Sequence, residues 1–117
     1  MPTIRDLVGA LRRRDGVEAA ILLGRDGLLI DGDSTEGIDR ESAAALIPSV
    51  VSAADEFGSH NGPGALTMAI LEYERGVAFV SVLTHDTILL VLARADANAG
   101  ALLYELRRHR SHIASLV

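Results

Sequence analysis

The sequence contains no cysteine and no lysine among its 117 residues, and all 11 basic residues are arginine. The absence of cysteine excludes disulfides, thiolate nucleophiles and cysteine-ligated zinc or iron–sulfur sites. The absence of lysine excludes Schiff-base chemistry and the lysine of a phosphate-binding P-loop. Candidate nucleophiles, bases and metal ligands are therefore limited to hydroxyl, histidine and carboxylate side chains.

The chain also lacks an excess of positive charge, because 16 acidic residues outnumber 11 basic ones and the net charge is -5. Binding to a phosphate backbone relies on positive charge, so we expect no nucleic-acid partner. No apolar run approaches the roughly 18 residues that span a bilayer. Charged residues, Arg5 and Asp6, precede any apolar stretch. We therefore expect no secretory signal, no membrane insertion and a cytoplasmic location.

The composition is that of an ordinary globular protein. Hydrophobic residues make up 49% and charged residues 23% of the chain, close to the average for folded domains. The length is sufficient for one hydrophobic core. We predict a single domain over residues 1–117.

The first part of the sequence predicts a helix followed by a β-hairpin. Thr3 and Asp6 have the spacing of a capping box ahead of an amphipathic stretch that stops at residues 15–16. Apolar runs at residues 17–23 and 28–30 flank the turn-forming sequence Arg-Asp-Gly. This pattern is typical of two antiparallel strands joined by a short turn.

A long helix is predicted in the middle of the chain, with Asp39 as its N-cap and Gly58 at its end. Pro48 lies inside the pattern and has no N–H, so we expect a kink near residues 44–48 or a broken first segment. The stripe predicted to face the core consists of Ala43, Ile47, Val50, Ala54 and Phe57.

Three apolar runs at residues 65–73, 77–84 and 87–93 are joined by connections too short for parallel crossovers, which predicts an antiparallel meander. The last two runs are apolar at nearly every position, so both faces of the sheet must be covered. Asp96 is the predicted N-cap of the last helix. The fold class is therefore an α/β three-layer sandwich, with a five-stranded antiparallel sheet, the long helix on one face and the two terminal helices on the other.

The middle helix carries more apolar residues than one buried face needs. Ala44, Ala45, Val51 and Ala53 lie around its circumference. Small residues allow a second helix to approach closely, and most soluble oligomers are symmetric homodimers. We therefore expect two copies of the chain to associate through this helix.

We predict no catalytic, cofactor-binding or metal-binding residues. His85 and Asp86 are adjacent in a short turn, and His109 and His112 are three residues apart on a helix without an accompanying ligand motif. Two arginine clusters, within residues 12–14 and 107–110, are typical of helix C-termini. They would recognise a phosphoprotein, an anionic lipid or an acidic protein surface if both project from the same layer.

Three segments carry a family resemblance: GVEAAILL (16–23) running into GRDGLLI (24–30), the alanine-rich middle helix, and DANAG (96–100) opening the last helix. On these segments the whole chain resembles the Roadblock (dynein light chain) family, including the bacterial MglB-like regulators of small Ras-like GTPases. The resemblance implies a homodimer in which the middle helices pack together and the third strands pair edge to edge. The residues expected at this interface are Ala44, Ala45, Pro48, Val51, Thr67, Ala69 and Leu71.

The resemblance also implies a binding platform for a small GTPase, with a GTPase-activating or scaffold role and no catalytic motif. Arg40 and Arg75 are candidates for an arginine that acts on the GTPase. The partner surface expected beside the paired helices consists of Arg40, Glu41, Ser52, Asp55 and Glu56. The alternative surface consists of Arg107, Arg108 and Arg110. Alternative functions are a dimerisation adaptor in a signalling or motility complex, and a profilin-like sensor of a small ligand.

Overall fold

Residues 2–117 are described by a computed structural model of the chain. They form three helices and five strands in the predicted order. The elements are α1 (Ile4–Arg12), β1 (Val17–Gly24), β2 (Leu29–Ser34), α2 (Arg40–Asn61), β3 (Met68–Tyr73), β4 (Gly76–Val82), β5 (Thr87–Arg94) and α3 (Ala99–Ala114). No helix within the described residues is both long enough and apolar enough to cross a bilayer.

The five strands form one antiparallel sheet in the order β2-β1-β5-β4-β3. The central strands β1, β5 and β4 are almost completely buried. Their apolar side chains point alternately to the two faces, so each face needs a helical cover. The predicted fold class is confirmed.

The two faces of the sheet form two separate cores. On one face, α1 and α3 contribute Val8, Leu11, Leu102, Leu106 and Ile113, which pack against strand residues such as Phe79. On the other face, α2 contributes Ala44 and Val51, which pack against β1, β4 and β5. Burial of each aliphatic side chain stabilises the fold by about 1.5–3 kcal/mol.

The helix N-termini follow the sequence signals closely, with one exception. Thr3 and Asp6 form the predicted capping box, with hydrogen bonds of 3.0 and 3.2 Å. The predicted N-cap of α3, Asp96, is wrong. Asn98 accepts a hydrogen bond from the Ala101 N–H at 3.0 Å, whereas Asp96 accepts one from the Arg94 guanidinium.

Helix α2 begins at the predicted N-cap, since Asp39 accepts a hydrogen bond from the Ser42 N–H at 3.0 Å. It continues without interruption through Pro48, so a broken first segment is wrong. It ends at Gly62, which has φ 101°, and not at Gly58. A side chain at Gly58 would place its Cβ 2.5 Å from the Gly64 carbonyl oxygen. Gly58 is therefore required for close packing, and Gly62 provides the left-handed conformation that ends the helix.

The two edge strands of the sheet differ in character. β2 carries Asp31 and Asp33, and its register with β1 shifts at Leu22 and Leu23. β3 has the sequence MAILEY and pairs with β4 in a regular register. The carbonyl oxygen of Thr67 accepts a hydrogen bond from Val82 of β4 at 3.0 Å. Antiparallel pairing alternates along a strand, so the N–H and C=O groups of residues 68, 70 and 72 point away from β4.

Candidate functional site

The side of α2 that faces away from the sheet carries a row of exposed and half-buried apolar residues. Leu46, Val50, Ala53 and Phe57 recur at helical spacing, and we refer to them as the α2 ridge. Leu46 is 65% and Phe57 67% exposed. The ridge extends for about 16 Å at a rise of about 1.5 Å per residue. A contiguous apolar surface of this kind marks an interaction site.

Two residues of the stripe predicted to face the core, Val50 and Phe57, lie on the outward side of α2. The residues of α2 that face the sheet include Ala44, Ile47, Val51 and Gly58. Phe57 was expected in the core, but it precedes Gly58 by one residue and so points about 100° away from it. Val50 is half-buried on the same outward side.

The buried face of α2 also removes two residues from the predicted dimer interface. Ala44 and Val51 are both 0% exposed, so their side chains cannot touch a second chain. Ala45 is exposed and Pro48 is half-buried. Thr67, in the loop just before β3, is exposed, and Ala69 and Leu71 of β3 are half-buried on the side of the sheet that α2 covers. These five positions stay a predicted interface.

A groove connects the α2 ridge to the edge of β3. It has a volume of about 500 Å³, and its lining includes Ala54 and Phe57 of α2, Leu66 and Thr67 of the connecting loop, and Met68 at the start of β3. The ridge and the unpaired strand edge therefore form one continuous surface.

The predicted partner residues do not all lie free on this surface. Arg40, Glu41, Ser52 and Glu56 are exposed. The Arg40 guanidinium also donates a hydrogen bond to the Gly32 carbonyl oxygen at 2.6 Å. This contact engages Arg40 with its own chain, whereas Arg75 is exposed in the turn between β3 and β4.

Asp55 is the exception among the predicted partner residues, because its side chain is only 29% exposed. Its Oδ1 accepts a hydrogen bond from the Leu66 N–H at 2.7 Å, and its Oδ2 lies 4.0 Å from Nη1 of Arg25. Asp55 thus holds the loop before β3 and the β1–β2 turn against α2. Asp55 is therefore less exposed than predicted and is engaged within its own chain, and its role as a partner contact stays a prediction.

The histidine and carboxylate side chains do not converge on a metal site. Within residues 2–117, no three histidine, aspartate or glutamate side chains are placed to hold a metal ion. His85 and Asp86 are exposed in the turn between β4 and β5, as the sequence indicates. The surface formed by the α2 ridge and the β3 edge remains the feature that calls for a binding function.

Comparison with known proteins assigns the fold to a family. The sequence profile of the Roadblock/LC7 domain matches residues 3–93. The chain belongs to the Roadblock/LC7 domain family. An uncharacterized protein of Methanocaldococcus jannaschii is 29% identical over 106 residues, covering 91% of this chain and 89% of that protein.

Solved structures agree with the assignment. A Roadblock/LC7 domain from Streptomyces avermitilis has a TM-score of 0.82 at 27% identity, covering 93% of this chain and 92% of that one. MglB of Myxococcus xanthus has a TM-score of 0.87 at 17% identity, covering 97% of this chain and 93% of that one. The likeness to MglB shows a shared fold.

The charges of this Roadblock domain are divided between its layers. Residues 2–16 and 95–117, which include α1 and α3, hold seven arginines and four carboxylates. Residues 17–94 hold four arginines and twelve carboxylates. Arg94 connects the two parts through Asp96 at 3.0 Å, a hydrogen bond that raises the pKa of Arg94. The segments that contain α1 and α3 are therefore net basic, and the segment from β1 to β5, which includes α2, is net acidic.

Replacing Asp55 by alanine should destabilise the Roadblock domain, because the partly buried Leu66 N–H loses its partner. We expect a loss of about 1–3 kcal/mol in the free energy of unfolding. Glu56→Ala, at the exposed neighbouring position, should change it by less than about 0.5 kcal/mol. Urea unfolding of both variants at one protein concentration measures the difference. Equal losses would show that the Leu66 contact contributes nothing.

Proposed function

We propose that this Roadblock domain, over residues 1–117, forms a homodimer and acts as a non-enzymatic platform for a small Ras-like GTPase in the cytoplasm. The observation that carries the proposal is the continuity of the α2 ridge with the unpaired edge of β3. Both parts of this surface are apolar, and neither is covered within the protomer. Family membership supports the same conclusion.

In the proposed dimer, the α2 helices pack against each other and the two β3 strands pair. The free backbone groups of β3 belong to residues 68, 70 and 72, which restricts the register. A two-fold axis at Ile70 places Ile70 opposite its own copy and Met68 opposite Glu72 of the partner subunit. This register uses all the free groups and hides the apolar strand edge from water.

The proposed GTPase surface lies beside the paired α2 helices. Glu41 and Glu56 are exposed there. The two-fold symmetry of the proposed dimer presents two copies of each. A platform of this kind can order the switch loops of a GTPase without supplying a nucleophile, because the GTPase carries its own catalytic residues. The acidic character of the surface fits a GTPase with basic residues beside its switch loops.

The arginines of α3 form the alternative partner surface, which is compared with the surface beside α2. Arg110 donates two hydrogen bonds to the Val82 carbonyl oxygen, at 2.9 and 2.6 Å. It is therefore engaged within the protomer, whereas Arg107 and Arg108 are exposed on α3. Charge reversal at Arg107 and Arg108 tests the alternative surface without disturbing α2.

The charge-reversed variants should separate the two surfaces. Glu41→Arg with Glu56→Arg should weaken binding of a Ras-like GTPase from the same organism by about tenfold, because it inverts the charge of the contact rim. Arg107→Glu with Arg108→Glu should leave the affinity within about twofold. Biolayer interferometry with the GTPase in its GTP-bound state measures both affinities, and sedimentation checks that each variant stays dimeric.

Weakened GTPase binding by Arg107→Glu with Arg108→Glu, together with unchanged binding by Glu41→Arg with Glu56→Arg, would place the partner on the α1–α3 side. That result would contradict the proposed surface. A dimer that binds no Ras-like GTPase of its organism would refute the GTPase proposal and favour the dimerisation adaptor.

A further inference from the structure

A cavity that opens to solvent lies between α1 and α3, on the face of the sheet opposite α2. Its volume is about 240 Å³. Its apolar lining consists of Leu7, Ala10, Leu11, Leu102, Leu106 and Ile113. An apolar cavity of about 150 Å³ already suffices to bind benzene. The space between these helices is therefore large enough for a small apolar ligand.

The rim of the cavity carries three basic side chains and one acidic side chain. Glu105 lies 3.5 Å from Nη1 of Arg14 and 3.6 Å from Nε2 of His109, and His112 completes the rim. The separation between Arg14 and Glu105 exceeds the roughly 2.7–2.9 Å of a charge-assisted hydrogen bond. The guanidinium of Arg14 therefore keeps donors available for a second anion.

The same layer carries further arginines outside the lining of the cavity. Both arginine clusters of the sequence project from this layer. Arg12 and Arg110 donate to carbonyl oxygens at the ends of β1 and β4. Arg13, Arg107 and Arg108 remain exposed. An apolar cavity with a basic rim is complementary to a molecule that has an apolar chain and an anionic head.

We propose that this cavity binds a medium-chain carboxylate, with its chain between α1 and α3 and its carboxylate at Arg14. At about 30 Å³ for each group the size of water, the cavity accommodates about eight such groups, close to the seven carbons of octanoate beyond its carboxylate. A partner helix is a poorer fit, because an α-helix is about 10 Å wide with its side chains. The site is separate from the α2 ridge and does not depend on the proposed GTPase function.

Titration of the full chain with octanoate tests the proposal. Isothermal calorimetry should show saturable binding of octanoate, about threefold to fivefold weaker binding of 1-octanol and no detectable binding of acetate. The difference between octanoate and octanol corresponds to one partly exposed ion pair. Equal affinities for octanol and octanoate would overturn the role given to Arg14, and absence of octanoate binding would overturn the site.

Phenylalanine substitutions at two alanines test where the hydrocarbon chain of octanoate lies. Ala10 lines the cavity from α1, and Ala101 lies on α3 outside the lining; both are exposed helix residues. Ala10→Phe should lower the affinity for octanoate about tenfold or more, because the phenyl ring occupies the space of the chain. Ala101→Phe should leave it unchanged. Unaltered octanoate binding by a folded Ala10→Phe variant would contradict the proposed site.

A second pair of variants tests the position of the carboxylate and changes only the rim. Arg14→Gln should lower the affinity for octanoate about threefold to fivefold and leave that for octanol unchanged. Glu105→Gln should raise the affinity for octanoate by a similar factor, because it removes the carboxylate that competes for Arg14. The same change for octanol as for octanoate in either variant would show that the head group is not bound at this rim.

Discussion

Phe57→Glu is expected to convert the proposed Roadblock homodimer into a folded monomer. Phe57 is largely exposed in the protomer, so the substitution removes no intramolecular core contact. At the interface it replaces an aromatic anchor by a carboxylate that loses its water. Loss of such an anchor costs about 2–4 kcal/mol. The dimer dissociation constant should therefore rise about 30- to 1000-fold.

Sedimentation velocity measures this change, since the unaltered chain should sediment at about twice 12.4 kDa and the variant at about 12.4 kDa. Tyr104→Glu is the matched control, because Tyr104 is an aromatic residue on α3 with a similar exposure of 61%. This control should stay dimeric. A monomeric parent chain, or a dimeric Phe57→Glu variant at the same concentration, would contradict the proposed interface.

Val51→Glu should unfold the domain rather than separate the protomers. Val51 is 0% exposed and packs between α2 and the sheet. A carboxylate at this position has no partner to replace its hydration. An unpaired buried charge costs about 3–5 kcal/mol, which is a large part of the 5–15 kcal/mol that stabilises a typical domain. We expect the variant to be mostly unfolded or to melt at a strongly reduced temperature.

Val50→Glu provides the control, because Val50 is the preceding residue and lies on the α2 ridge. In the Phe57→Glu background, dimer dissociation no longer contributes to the measured stability. Circular dichroism melting should then show a large loss for Val51→Glu and a small one for Val50→Glu. Similar melting temperatures for the two variants would show that the inward and outward faces of α2 are wrongly assigned.

The helices and strands could be predicted from the sequence, because the signals that specify them are local. The Thr3 capping box, the turn residues of the hairpins and the apolar runs each specify one element. The continuous apolar runs of β4 and β5 also indicated that both faces of the sheet are covered. Short connections account for the pairs β1–β2, β3–β4 and β4–β5, whereas the pairing of β1 with β5 joins distant parts of the chain and is seen only in the folded sheet.

The face of α2 that packs on the sheet was harder to predict, because apolar residues occur around the whole circumference of the helix. When both faces of a helix are apolar, periodicity does not tell which one packs on the sheet. Phe57 was therefore placed in the core, and Ala44 and Val51 at the interface. The end of the helix was misplaced for a related reason, since Gly58 and Gly62 are equivalent as stop signals. The contact between Gly58 and Gly64 distinguishes them only in the folded chain.

The details of the candidate sites depend on contacts between distant residues. Asp55 meets Leu66 eleven residues later, and no local pattern marks that pair. The α1–α3 cavity brings together residues from the two ends of the chain. The sequence showed both arginine clusters, but only the packing of the terminal helices shows that they share a layer.

The unequal edges of the sheet bear on how large an assembly can become. When two chains join through β3, the strands left at both outer ends are copies of β2. There Asp31 and Asp33 place charge along the strand, and the shifted register at Leu22 distorts the backbone. Charges and bulges on an edge strand prevent the addition of another chain. Association through the sheet thus ends with the second chain, and the same geometry that favours a pair blocks growth into a fibre.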